Sequence, residues 1–162
     1  MACRSAALAA DPCARRTCKT GDVTDQDGEC RWRKAGPASR EVIEALKTQA
    51  TVALPPEYLD FLSQTNGGEG DLAADPGWFA IWPSEEVLEN NRGYEIPTYL
   101  PGFFGFGSNG GGELLAFDMR HGAPYPVVMI PFIPMEAREA RPVAATFAEF
   151  RTLLGKRWED QA

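Results

Sequence analysis

A chain of 162 residues with 44% hydrophobic and 24% charged positions has the composition of one globular domain with enough apolar material for a core. No apolar run approaches the roughly 18–20 residues of a membrane-spanning helix, and the opening MACRSAALAADPC lacks the apolar segment of a secretory signal, so a membrane location is excluded and a cytoplasmic one expected. The net charge of −7 is unevenly spread, because residues 1–36 hold seven Lys/Arg against five acids while residues 37–162 hold nine against eighteen; a body at −9 repels a phosphate backbone, which excludes nucleic acid as a partner, and attracts a basic protein.

All four cysteines, Cys3, Cys13, Cys18 and Cys30, lie in the first 30 residues. No pair has the C-x2-4-C spacing of a structural zinc knuckle, and without an export signal no disulfide is expected either. Between Leu8 and Trp32 the only aliphatic residue beyond alanine is Val23, too little apolar surface to offset the entropy of ordering the segment. Residues 1–36 therefore read as a mobile tail or an over-extended gene start, and residues 37–162 as a single domain.

In the body, SREVIEALKTQA (39–50) reads as a helix with Ser39 as N-cap and Ile43, Leu46 and Ala50 on one face. Leu54-Pro55 is extended, Pro56 takes the first helical position of a second helix, and Tyr58, Phe61, Leu62 and Thr65 share its face. Asn66-Gly67-Gly68 stops it. Residues 69–77 read as an acidic turn, and WFAIW (78–82) as a strand apolar on both faces. Ser84 heads a short helix carrying Glu85, Glu86 and Glu89, and GYEIPTYLPG (93–102) reads as an ordered loop. Strands are expected over 103–108, 113–118 and 126–132. The capping box Thr146-x-x-Glu149 then opens a last helix with Phe147, Phe150, Leu154 and Trp158 on one face. The expected fold is α+β, an antiparallel β-sheet with helices packed against it, two N-terminal helices and one C-terminal helix.

Gly105-x-Gly107-x-x-Gly110 has the form of a dinucleotide-binding fingerprint. Such a site needs a helix after the glycines and an acid about 20 residues on. Here ELLAFD reads as a strand and the distant positions are Ile130 and Pro131, so the stretch is expected to be a hairpin. His121, the only histidine, sits in a turn-like DMRHGAP without a nucleophile in reach of the motif, and no catalytic, metal or cofactor site is expected. Close carboxylate pairs such as Glu85-Glu86 and Glu69-x-Asp71 are common by chance among eighteen acids.

Five segments, LPPEYLDFLSQTNGG (54–68), WFAIWPSEEVLENN (78–91), GFGSNGGGELLAFD (105–118), YPVVMIPF (125–132) and ATFAEFRTLL (145–154), resemble in order and spacing the SUKH superfamily, which includes a fungal cell-wall-assembly regulator and many bacterial immunity proteins. The resemblance implies a non-enzymatic α+β binding domain without a cofactor. It implies a protein partner: a cognate polymorphic toxin, often a nuclease, whose basic surface an acidic domain occludes. The alternative is a general interaction scaffold or regulatory module of the cell-wall-assembly-regulator type. The motif positions Leu54, Pro55, Tyr58, Asn66, Gly67, Gly68, Trp78, Gly111, Gly112 and Glu113 are expected to specify the fold, with Glu113 steadying a turn or facing a partner. The expected contacts are Glu69, Asp71, Asp75, Glu85, Glu86 and Glu89, clustered around one strand–helix region.

Overall fold

The computed structural model describes residues 18–161, in which eight strands form one antiparallel sheet in sequence order. They are β1 (Val23–Thr24), β2 (Cys30–Lys34), β3 (Gly68–Asp71), β4 (Trp78–Ile81), β5 (Phe103–Ser108), β6 (Glu113–Asp118), β7 (Val127–Pro131) and β8 (Arg141–Ala144). Helices α1 (Arg40–Gln49) and α2 (Pro56–Gln64) follow β2, α3 (Val87–Gly93) and α4 (Ile96–Tyr99) lie between β4 and β5, and α5 (Phe147–Leu153) follows β8. The α+β class and the antiparallel sheet agree with expectation, but two N-terminal helices and one C-terminal helix do not. Among the described residues five helices are distributed along the chain, and a β-hairpin precedes the first of them. The α4 helix falls within the stretch expected as a loop, because four residues are too few to show a 3.6-residue period.

The hairpin β1–β2 lies in the segment expected to be a mobile tail. Its order comes from cross-strand pairing rather than apolar content: Trp32, Arg33 and Lys34 of β2 register against Gly70, Glu69 and Gly68 of β3. Arg33 meets Glu69 at 3.3 Å and Arg31 meets Asp71 at 3.0 Å, while Trp32 turns into the core, stacked 6.0 Å from Phe61 and edge-on to Phe79. The structure also joins Cys18 to Cys30 in a disulfide, where none was expected. Cys3 and Cys13 lie outside the described residues.

Side chains alternate across the sheet. Leu115, Phe117, Val127 and Met129 face one layer, formed by Leu46 of α1, Tyr58, Phe61 and Leu62 of α2 and Phe147 and Phe150 of α5. Leu114, Ala116, Val128 and Ile130 face the other, where Ile96 and Leu100 of the α4 segment and the partly buried Trp82, Phe132, Met135, Ala137 and Ala140 cover them. The second face is the thinner one. The central strands are thus buried on both sides, which is why β5, β6 and β7 read as nearly continuous apolar runs.

The local signals explain most element ends. Val42 N–H donates to Ser39 Oγ at 3.3 Å, and Pro56 opens α2. Glu149 N–H donates to Thr146 Oγ1 at 3.1 Å, while the Glu149 carboxylate accepts from Ala145 N at 2.8 Å, a capping box displaced by one residue. Leu154 bridges to Leu72 after α5 has ended, and Trp158, expected on the buried face, is 59% exposed. The glycine stretch is the β5–β6 hairpin, with no helix after it. Asn109 Oδ1 accepts from Gly111 N (2.9 Å) and Glu113 N (3.1 Å), closing the turn.

Tyr58 sits at the centre of the main layer, fully buried, with Phe106, Phe117 and Phe147 rings 5.3–5.7 Å away. Its hydroxyl has no hydrogen-bond partner among the described residues, and burial pushes its pKa far up. An unpartnered buried hydroxyl costs about 1–3 kcal/mol. Tyr58→Phe keeps the ring and removes that cost, so urea denaturation is expected to give a midpoint equal to or above wild type. A loss of more than about 1 kcal/mol would show that the hydroxyl is satisfied in solution.

Candidate functional site

The six acids expected to contact a partner fall in three places along the chain: Glu69 and Asp71 lie on β3, Asp75 in the β3–β4 loop, and Glu85, Glu86 and Glu89 between the end of β4 and α3 or on α3 itself. Around β3 the charge is met internally. Asp71, with its side chain 13% exposed, accepts from both Arg31 and Arg157 at 3.0 Å. Burial raises the pKa of Asp71 in spite of the Arg31 guanidinium beside it. Glu69 pairs with Arg33, and Asp75 with Arg141 at 2.9 Å.

Beyond β4, Glu85 is committed to the fold. Asn66 Nδ2 donates to Glu85 Oε2 at 2.8 Å, and Asn66 Oδ1 accepts from both the backbone N–H and the hydroxyl of Ser84, each at 2.8 Å. This knot ties the end of α2 to the approach to α3. The Asn66 amide, helped by the Ser84 hydroxyl, holds the Glu85 carboxyl below its ordinary pKa. Ser84 is buried and does not cap a helix; Glu86 stands at the N-cap of α3, with no side-chain bond there.

The carboxylates of Glu86 and Glu89 have no ionic or hydrogen-bond partner among the described residues, and both side chains are exposed. Glu95, which the sequence reading did not single out, is a third. It is exposed, unpartnered and held in the left-handed region (φ 53°, ψ 35°) at the junction of α3 and α4. That conformation costs a non-glycine residue free energy and is unusual outside constrained sites. The α3–α4 stretch therefore presents three free carboxylates beside the single guanidinium of Arg92, where the acids of β3 are paired with arginines.

Among the signature positions, Glu113 steadies a turn: it accepts from Asn109 Nδ2 at 2.9 Å and pairs with Arg141. Asn91, at the inner face of α3, is buried and takes both backbone groups of Gly105. Its Nδ2 donates to Gly105 O (2.7 Å) and Val87 O (2.8 Å), and its Oδ1 accepts from Gly105 N (2.9 Å).

Among the described residues nothing in the geometry assembles a reaction centre. His121 is exposed in the β6–β7 turn. Cys18, Asp22 and Cys30 bring two sulfurs and a carboxylate oxygen within 4.8 Å of one another, but the sulfurs are bonded to each other and the carboxylate accepts from Lys19 N (2.7 Å) and Lys34 N (2.9 Å). A cavity of about 430 Å³ between the α1–α2 connection, α3 and the start of β5 is walled by Val52, Leu88, Phe104 and Met119, with Arg92 as its one charged residue. It holds no acid–base pair. Among the described residues no helix is long and apolar enough to cross a membrane.

A family model, described as the SMI1/KNR4 family (SUKH-1), matches residues 37–152. No curated protein matches the chain.

Proposed function

The chain belongs to the SMI1/KNR4 family (SUKH-1), whose members are typically non-catalytic immunity or scaffold proteins and generally bind a polymorphic toxin, and from that membership we propose that it neutralises a basic toxin domain through the acidic α3–α4 surface. The observation that carries the proposal is the free, exposed pair Glu86 and Glu89 on α3, joined by Glu95, in a body that carries twice as many acids as bases. Unpaired carboxylates retain their full field and steer a cationic surface toward them, whereas those of Glu69, Asp71 and Asp75 are largely cancelled by their arginines. If the toxin is a nuclease, these carboxylates occupy the place of its phosphates and block the site without chemistry. The encounter is assigned to the cytoplasm, where a polymorphic toxin would have to be met before it acts.

The test is co-expression with the product of the neighbouring gene, scored by rescue from toxicity and by co-purification. The double variant Glu86→Lys/Glu89→Lys is expected to weaken binding at least about tenfold, more at low salt than at high. Its thermal transition should stay close to wild type, because neither carboxylate has a partner to lose. Glu85 is left intact, since reversing it would also break the Asn66 knot. Undiminished binding by the double variant would remove α3 as the contact face.

A further inference from the structure

The thin side of the sheet ends in an apolar surface that the fold does not explain. Ile133 is 91% exposed, the most exposed large hydrophobic side chain among the described residues, and Tyr94 is 47% exposed. Tyr94 lies between two rings, stacked 4.6 Å from Phe132 and 6.0 Å from Trp82. The three form a ladder over the outer face, and the exposed Ile133 follows Phe132 directly in the chain. Two of its rings are held by their backbone: Phe132 N–H donates to Gly112 O at 2.8 Å and Tyr94 N–H to Asn90 O at 3.0 Å. Glu95 directly follows Tyr94, and Glu86 and Glu89 lie on the helix that Tyr94 ends.

We propose that Tyr94, Phe132 and Ile133 are the apolar anchor of the partner interface, receiving an aliphatic or aromatic side chain that a basic protein presents among lysines and arginines. The inference rests on the α3–α4 reading above. Binding energy at protein interfaces concentrates in a few packed aromatic and aliphatic residues, with charges around them setting approach and register. A ladder already stacked loses little rotamer entropy on binding. The surrounding charge selects the occupant. A second copy of this chain would pair the surface with itself across a two-fold axis and bring Glu86, Glu89 and Glu95 toward their own counterparts. An anionic membrane is repelled for the same reason. A cationic protein surface meets both the apolar centre and the acidic margin.

The test is calorimetric titration of the full chain with the purified product of the neighbouring gene. Ile133→Ser and Tyr94→Ala are each expected to weaken binding at least about tenfold. The heat-capacity change should be smaller in both, and the salt dependence unchanged from wild type, unlike that of the Glu86→Lys/Glu89→Lys variant. Ile133→Ser should melt as wild type does, because the side chain is almost wholly exposed. Binding that persists at wild-type strength in both variants overturns the anchor and leaves the acidic reading standing. A wild-type chain that does not bind the neighbouring product overturns both. A wild-type dimer in sedimentation that Ile133→Ser dissociates assigns the surface to a second copy and overturns the proposal as well.

Discussion

Asn91→Ala should destabilise the fold by about 3–5 kcal/mol, against a total stability of roughly 5–15 kcal/mol for a domain of this size. The reason lies in how β4 and β5 part company. Ala80 and Ile81 register with Ser108 and Gly107, and Trp82 N–H reaches Phe106 O, but beyond that point β4 has turned away toward α3. The next backbone groups of β5, the N–H and C=O of Gly105, would be left facing the interior. The side-chain amide of Asn91 takes the place of the missing strand residue, accepting from one and donating to the other. Gly105 has no side chain to obstruct this: a Cβ there would stand 2.7 Å from Ile96 Cδ1 and 3.0 Å from Leu114 Cδ1. Alanine at 91 leaves both groups buried without partners, at about 1–3 kcal/mol each, and a void besides. Urea denaturation reads the total, and amide exchange at Gly105 reads the cause. Asn91→Asp tests the donors separately. It keeps the acceptor for Gly105 N–H but sets a buried carboxylate oxygen against the carbonyl oxygens of Gly105 and Val87, so its carboxyl pKa rises on folding. Its stability should improve as pH falls through that raised pKa. A wild-type midpoint in Asn91→Ala would mean that water replaces the amide.

The sequence disclosed the parts of this fold whose signals are local. β5 and β6 were expected over 103–108 and 113–118, and those are the observed bounds, because two apolar runs flank a glycine turn closed by a single asparagine. The starts of α1, α2 and α5 follow their Ser, Pro and Thr signals for the same reason. β2 and β3 were not legible. CRWRK and GEGD carry one large apolar side chain between them, and their stability comes from each other's charges and from the docking of Trp32. That information lies in residues about 40 positions apart, Arg31 and Asp71 for instance.

The candidate site divides along the same line. That the domain is acidic could be counted. Which acids are free could not, because the cations that neutralise them come from elsewhere in the chain: Arg157 reaches back 86 residues to Asp71, and Arg141 reaches back 66 to Asp75. Glu86 and Glu89 stand out only once those pairings are seen. The same holds for Tyr94 and Phe132, 38 positions apart in sequence and in ring contact in the fold.

Gly68→Ala is the second substitution with a large expected effect, about 2–5 kcal/mol, and it shows that the signature glycines are not alike. Asn66-Gly67-Gly68 was read as a helix stop, yet α2 already ends at Gln64 with Thr65 as its cap. The work of Gly68 is done at the sheet. It opens β3 with φ at +119°, outside the range a side chain tolerates, and a Cβ there would stand 2.4 Å from the carbonyl oxygen of Arg33 and 3.1 Å from Trp32 Nε1. Backbone strain contributes about 1–3 kcal/mol and the forced contact a similar amount. Neither can relax without moving β2 off β3, and β2 carries Trp32 into contact with Phe61 and Phe79. The substitution should therefore lower the urea midpoint and shift the fluorescence of Trp32 toward that of a solvated indole. Gly112→Ala is the control. It belongs to the other signature block, but nothing lies within 4 Å of the position its Cβ would take and its φ is ordinary, so its stability should stay within about 0.5 kcal/mol of wild type. Equal effects at the two positions would mean that close approach of β2 to β3 does not set this end of the sheet.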